Sequence, residues 1–156
     1  MSEFDQLYRE VILDHYQHPR NRGRLDPSDI AVEGTNPLCG DELALYVRLR
    51  DGRVADVRFE GRGCSISQAS ASMMTEAIKG KTIEDVRRLV TEFKGMMHGQ
   101  EPAEDLGDLV ALQGVRKFPV RIKCATLSWV AVEQGLAEHE AGRPAAGEGR
   151  PIAELS

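Results

Sequence analysis

The dipeptide Asp51-Gly52 lies between two runs that alternate apolar and polar residues, and no other stretch limits the fold so tightly. Before it, Leu43, Leu45, Val47 and Leu49 alternate across Glu42 to Arg50; after it, Ala55, Val57 and Phe59 alternate across Arg53 to Glu60. Period-two alternation marks strands with one buried face, and Asp-Gly tolerates the positive φ of a two-residue hairpin turn. The pair predicts an antiparallel hairpin whose single apolar face must be covered by helices. A short strand at Ile30 to Glu33 brings the sheet to about three strands.

Helical spacing supplies the cover. Phe4, Leu7, Tyr8, Val11, Ile12 and Tyr16 form one stripe over residues 3 to 17, which Pro19 ends. Gln68 to Lys79 is rich in Ala and Met and stops at Gly80. Thr82 and Asp85 have capping-box spacing ahead of Ile83, Val86, Leu89, Val90 and Phe93, a stripe running to Gly95, with Met96 and Met97 at its core-facing end. Residues 98 to 104 read as loop, Asp105 to Leu112 as a short helix, Gln113 to Pro119 as an irregular link, and Cys124 to Glu140 as the last helix. The expected class is α+β: a small antiparallel sheet packed on one face by several helices. Residues 1–141 are expected to form one domain, and 142–156, with its repeated Gly-Arg-Pro, a disordered tail.

A net charge of −5 without a basic run excludes nucleic acid as an expected partner. No apolar run approaches bilayer length, and Met1-Ser2-Glu3-Phe4-Asp5 lacks the pattern of a signal peptide, so a cytoplasmic protein with no membrane partner is expected. Three cysteines are too few for a disulfide framework, which directs attention to metal or thiol chemistry.

Cys39 and Asp41 lie two apart in Asn36-Pro37-Leu38-Cys39-Gly40-Asp41, and on extended backbone their side chains would share a side. Cys64 follows Gly61-Arg62-Gly63 just ahead of a helix, where the dipole and free amides favour a thiolate, and Cys124 also falls near a predicted helix start. Three thiolates and a carboxylate would suit zinc, with soft sulfur as the main donor. Arg121 and Lys123 then stand where they can offset the surplus negative charge, or they are simply solvated. Taken alone, Cys124 reads as a small buried hydrophobe, and there is no Cys-x-x-Cys pair. His15 and His18, three apart near a helix end, offer metal ligands or a polar helix side; His98 reads as a loop or helix-end residue and His139 as exposed.

Several longer motifs recur in one order: Asp14-His15-Tyr16 with Pro19-Arg20-Asn21, Asn36-Pro37 with Cys39-Gly40-Asp41, Gly63-Cys64-Ser65-Ile66-Ser67, Ala69 to Met74, and Arg121-Ile122-Lys123-Cys124 through Trp129. In these the chain resembles the U-type iron-sulfur cluster assembly proteins (IscU- and NifU-N-terminal-like), most closely their Suf-type SufU branch, from about Leu7 to Glu140. The housekeeping scaffolds of that family carry a histidine before the third cysteine, where this chain has Lys123. The helix-bearing insertion between the second and third cysteines, around Met96 to Gln113, also resembles the SufU branch. The resemblance implies zinc held by Cys39, Asp41, Cys64 and Cys124, and sulfur transfer from a PLP-dependent, SufS-like cysteine desulfurase toward downstream Suf machinery. The alternative it leaves is a scaffold on which an iron-sulfur cluster is assembled by the same four side chains. For transfer a ligand must leave zinc, and the family's picture is that a partner histidine replaces it. Cys39, on a glycine-hinged loop, is the expected acceptor, and Arg121 its possible auxiliary.

Overall fold

The architecture, seen in a computed structural model that describes residues 3–142, is built on the predicted hairpin. Strand β1 spans Ile30–Asn36, β2 Asp41–Arg50 and β3 Arg53–Arg62, paired antiparallel in the order β1-β2-β3. Asp51 and Gly52 both take positive φ, +52° and +73°, which matches the right-handed twist of the strands they join. Two cross-strand ladders fill the covered face: Ile30, Val47 and Val57 in one, Val32, Leu45 and Phe59 in the next. All six side chains are buried. The register shifts between Arg48 and Leu49, so Val54 turns inward and Ala55 outward, correcting the alternation expected for the start of β3.

Helix α1 covers Glu3–Gln17, α2 Ser65–Ile78, α3 Ile83–Met97 and α4 Pro119–Glu140, with a 3-10 segment over Glu104–Lys117 between α3 and α4. α4 packs on β1 and β2, α2 on β3 and α4, and α1 on α2 and the 3-10 segment. Thr82 caps α3 as predicted, its hydroxyl accepting from Asp85 N at 3.1 Å. The fully buried Trp129 of α4 stacks on Phe93 of α3, ring centroids 4.6 Å apart. Its Nε1 donates to Ser70 Oγ at 3.2 Å, and that hydroxyl donates to Ala125 O at 2.6 Å. Small residues of α2 thus let α4 approach closely, and one serine satisfies both the indole and the turn of α4 beside Cys124.

α2 begins at Ser65, three residues before its expected start, and β1 continues past Glu33 to Asn36. α4 begins at Pro119, whose missing N–H costs nothing in a first turn, so Cys124 lies more than a turn inside the helix. The link expected over Gln113 to Pro119 is instead the end of the 3-10 segment, which is kinked at Gly107 (φ +54°, ψ −127°), followed by Phe118 and the start of α4. Its buried Leu106, Leu109, Leu112 and Val115 recur every three residues, as eclipsed 3-10 turns require; pattern therefore found the helix expected over Asp105 to Leu112 but not its continuation to Lys117. The tail from residue 143 onward lies outside the described residues. Among the described residues no helix is long and apolar enough to cross a membrane.

Because the Trp129 indole fills the junction of three helices, Trp129→Ala is expected to cost about 3–5 kcal/mol. Thr82→Ala, which removes a single cap, is expected to cost about 1 kcal/mol. Chemical denaturation of the two variants checks both values.

Candidate metal centre

β1 and β2 are joined by Pro37-Leu38-Cys39-Gly40, and the register places Asn36 opposite Asp41 at the neck of that turn. Gly40 takes φ +70°, and Cys39 N donates to Asn36 O at 3.2 Å. The segment from Cys39 to Asp41 is therefore a tight turn rather than extended backbone. The turn lifts the half-buried Cys39 over Asp41, which is 1% exposed. Cys124 reaches the same place from α4. Donor atoms of Cys39, Asp41 and Cys124 all lie within 4.8 Å of one another, and the two sulfurs are 3.1 Å apart.

Cys64 adjoins this group without entering it. It is the N-cap of α2, and its sulfur accepts from Ser67 N at 3.5 Å, which holds the side chain back toward the helix. Its backbone N–H donates to Asp41 Oδ1 at 3.0 Å. Ser67 Oγ donates to the same oxygen at 3.1 Å, and Asn36 Nδ2 to Asp41 Oδ2 at 3.2 Å. Three donors from three segments compensate the buried carboxylate. Gly63 makes room for it: a Cβ there would collide with Asp41 Oδ1 and Ser67 Oγ.

Burial, reinforced by contacts with Cys39, Asp41 and Cys64, pushes the Cys124 thiol far above its ordinary range. The exposed Arg121 is held still more firmly as a cation by the charge of Cys64 and by hydrogen bonds to Cys124 and Cys64. It is thus one turn of α4 before Cys124, beside two of the three sulfurs. The histidines are elsewhere. His15 Nδ1 lies 2.8 Å from Ser72 Oγ, His18 lies 3.4 Å from Asp14, His98 follows α3, and His139 is half-buried rather than exposed. None joins the cysteine group.

The donor chemistry fits zinc. Two thiols and a hydrogen-bonded carboxylate converge, a third thiol adjoins them, and a guanidinium stands by to offset the surplus negative charge. Tetrahedral zinc with Zn–S of about 2.3 Å spaces two sulfurs roughly 3.8 Å apart, slightly wider than the 3.1 Å between Cys39 and Cys124. The Cys39 turn is the side on which that gap can open.

Residues 7–141 match the NifU-like N terminal domain family. The chain belongs to that family. It is 56% identical over 143 residues to the zinc-dependent sulfurtransferase SufU of Bacillus subtilis (strain 168), covering 90% of this chain and 97% of that protein. It is 44% identical over 138 residues to the iron-sulfur cluster assembly scaffold protein IscU of Streptococcus pyogenes serotype M1, covering 87% and 86%. The crystal structure of a nitrogen-fixing NifU-like protein (N-terminal) from Brucella abortus superposes with a TM-score of 0.80 at 27% identity, covering 90% of this chain and 99% of that one. These likenesses establish the α+β fold of a NifU-like domain. Asn36, Ser67 and Gly63 stand in the motifs read from the sequence, but their roles around Asp41 were missed. Asn36 lay beyond the strand expected to end at Glu33, so the sequence offered no signal of its role.

The close approach at Gly63 makes Gly63→Ala a specific test of the carboxylate's seat. The variant is expected to bind zinc about tenfold or more weakly, as for other disturbed outer-shell partners, when measured by competition with a chromophoric chelator.

Proposed function

We infer that this chain is a zinc-dependent sulfurtransferase that accepts persulfide sulfur from a PLP-dependent, SufS-like cysteine desulfurase for iron-sulfur cluster biogenesis in the cytoplasm. The reading rests on the convergence of Cys39, Asp41 and Cys124 with Cys64 alongside, and it is supported by 56% identity to a protein named for that activity. Zinc would be held by Cys39, Asp41, Cys64 and Cys124, and when bound it keeps the thiols as thiolates and assembles them at one point.

Cys39 is the acceptor, because it alone rides on a turn while Cys64 caps a helix and Cys124 is buried within one. Its thiolate attacks the terminal sulfur of the donor's persulfide. A sulfur–sulfur bond forms at Cys39, the donor's sulfur–sulfur bond breaks, and the electron pair leaves with the donor cysteine as thiolate. Cys39 ends as a persulfide, with no net oxidant or reductant consumed. Arg121, beside Cys64 and Cys124, balances the charge that remains when Cys39 swings outward. Asp41 stays in its three-donor seat. Residues 1–141 carry this work.

Protein purified without oxygen is expected to contain near-stoichiometric zinc and to speed cysteine turnover by the cognate desulfurase. Brown protein carrying iron and acid-labile sulfide would favour the scaffold reading instead. Cys39→Ser is expected to reduce the stimulation by about two orders of magnitude or more while leaving the protein folded. Asp41→Ala is expected to loosen zinc without removing a thiol, as measured by chelator competition.

A further inference from the structure

Hydrogen bonds around the centre are unevenly distributed. Asp41 accepts three, Cys64 Sγ accepts from Ser67 N, Cys124 Sγ accepts from Asn36 Nδ2 at 3.6 Å, and Arg121 hydrogen-bonds to both of these sulfurs. Among the hydrogen bonds of the described residues, Cys39 Sγ has no N–H donor; its contact is the sulfur of Cys124. One side chain produces much of this asymmetry. Asn36 is 0% exposed at the end of β1, and its carboxamide nitrogen serves both Asp41 Oδ2 and Cys124 Sγ. A carboxamide nitrogen has two hydrogens, so its donor capacity is then filled.

The oxygen of the same amide gives a second indication. Asn36 Oδ1 is buried and has no partner among the described residues. An unsatisfied buried carbonyl works against stability, and an apolar residue of similar size would avoid that cost. Stability alone therefore does not account for a carboxamide here, whereas its two N–H groups do, because they face two acceptors from distant parts of the chain. We propose that Asn36 is the positioning residue of the centre, clamping Asp41 of β2 and Cys124 of α4 into a fixed pair and leaving Cys39 as the sulfur free to depart. The clamp rests on the transfer reading only for its consequence, the choice of acceptor.

The test compares wild type with Asn36→Ala, Asn36→Asp, which keeps the volume but puts an acceptor in place of the donor, and Asn36→Ser, which is small and can still donate one bond. Circular dichroism checks the fold, and Asn36→Ser covers the case in which another variant fails to fold. In zinc-loaded protein, chelator competition is expected to show affinity about 10- to 100-fold weaker for Ala and Asp, with Ser between them and wild type. Affinities within twofold of wild type in all folded variants would overturn the clamp.

In zinc-free protein, timed labelling with iodoacetamide and peptide mass spectrometry reads the same bonds without metal or sulfur transfer. Labelling of Cys124 relative to Cys64 is expected to fall roughly tenfold in Ala and further in Asp, because the reacting thiolate loses its donor and in Asp gains a neighbouring carboxylate, and a ratio unchanged or raised would overturn the clamp. An equal rise at all three cysteines would signal a loosened fold and also overturn the proposal. Wild-type protein that accepts no sulfur would contradict the transfer reading, while the zinc-free labelling would still decide the clamp.

Discussion

Everything at the cysteine end of the molecule depends on the buried carboxylate of Asp41. A charge so far out of water persists only where donors surround it, and here they come from β1, the loop ahead of α2, and α2 itself. Satisfying that carboxylate therefore determines how the hairpin meets the helices. Gly63 must lack a side chain, Asn36 must reach across the turn, and Ser67 must face inward from the first turn of α2. The same seat draws Cys64 close through its backbone N–H, while its sulfur keeps its own bond at the helix start.

The three cysteines end in different mechanical states. Cys124 is anchored most deeply: α4 holds it in a buried turn, and the Ser70 bond to Ala125 O fixes the next residue against α2. Cys64 is held as a helix cap. Cys39 sits on a four-residue turn with Leu38 63% exposed beside it, so its displacement disturbs little of the core. On the proposed transfer reading, a site that holds a metal and also hands over one ligand would use this inequality, with Cys39 as the member that moves. Arg121 lies beside Cys64 and Cys124, the two sulfurs held by helices.

Much of this was legible in the sequence, for physical reasons. The hairpin could be read because period-two alternation and Asp-Gly state one geometry twice. The Thr82 cap and the α3 stripe were equally explicit. Where pattern failed, local signals were overridden or silent. Pro119 suggested a break but opens α4, because proline is as suited to a first helical turn as to a loop. The 3-10 segment places its buried residues three apart, so an α-helical template found only its first part, and the bulge at Arg48/Leu49 exchanged Ala55 for Val54. At the site, the residue types of Cys39, Asp41 and Cys64 were visible from their Gly and Pro flanks, whereas the roles of Asn36 and Ser67 exist only in three dimensions, across separations of five and twenty-six residues.

The central claim is that Cys39 receives the sulfur while Cys64 and Cys124 remain in place. Its most direct test is to load the protein with zinc, supply the cognate desulfurase and cysteine, and map the added sulfur by peptide mass spectrometry under conditions that preserve persulfides. The account predicts one added sulfur on the peptide containing Cys39, with Cys64 and Cys124 unmodified. Sulfur found first on Cys64 or Cys124, with Cys39 bare, would contradict it.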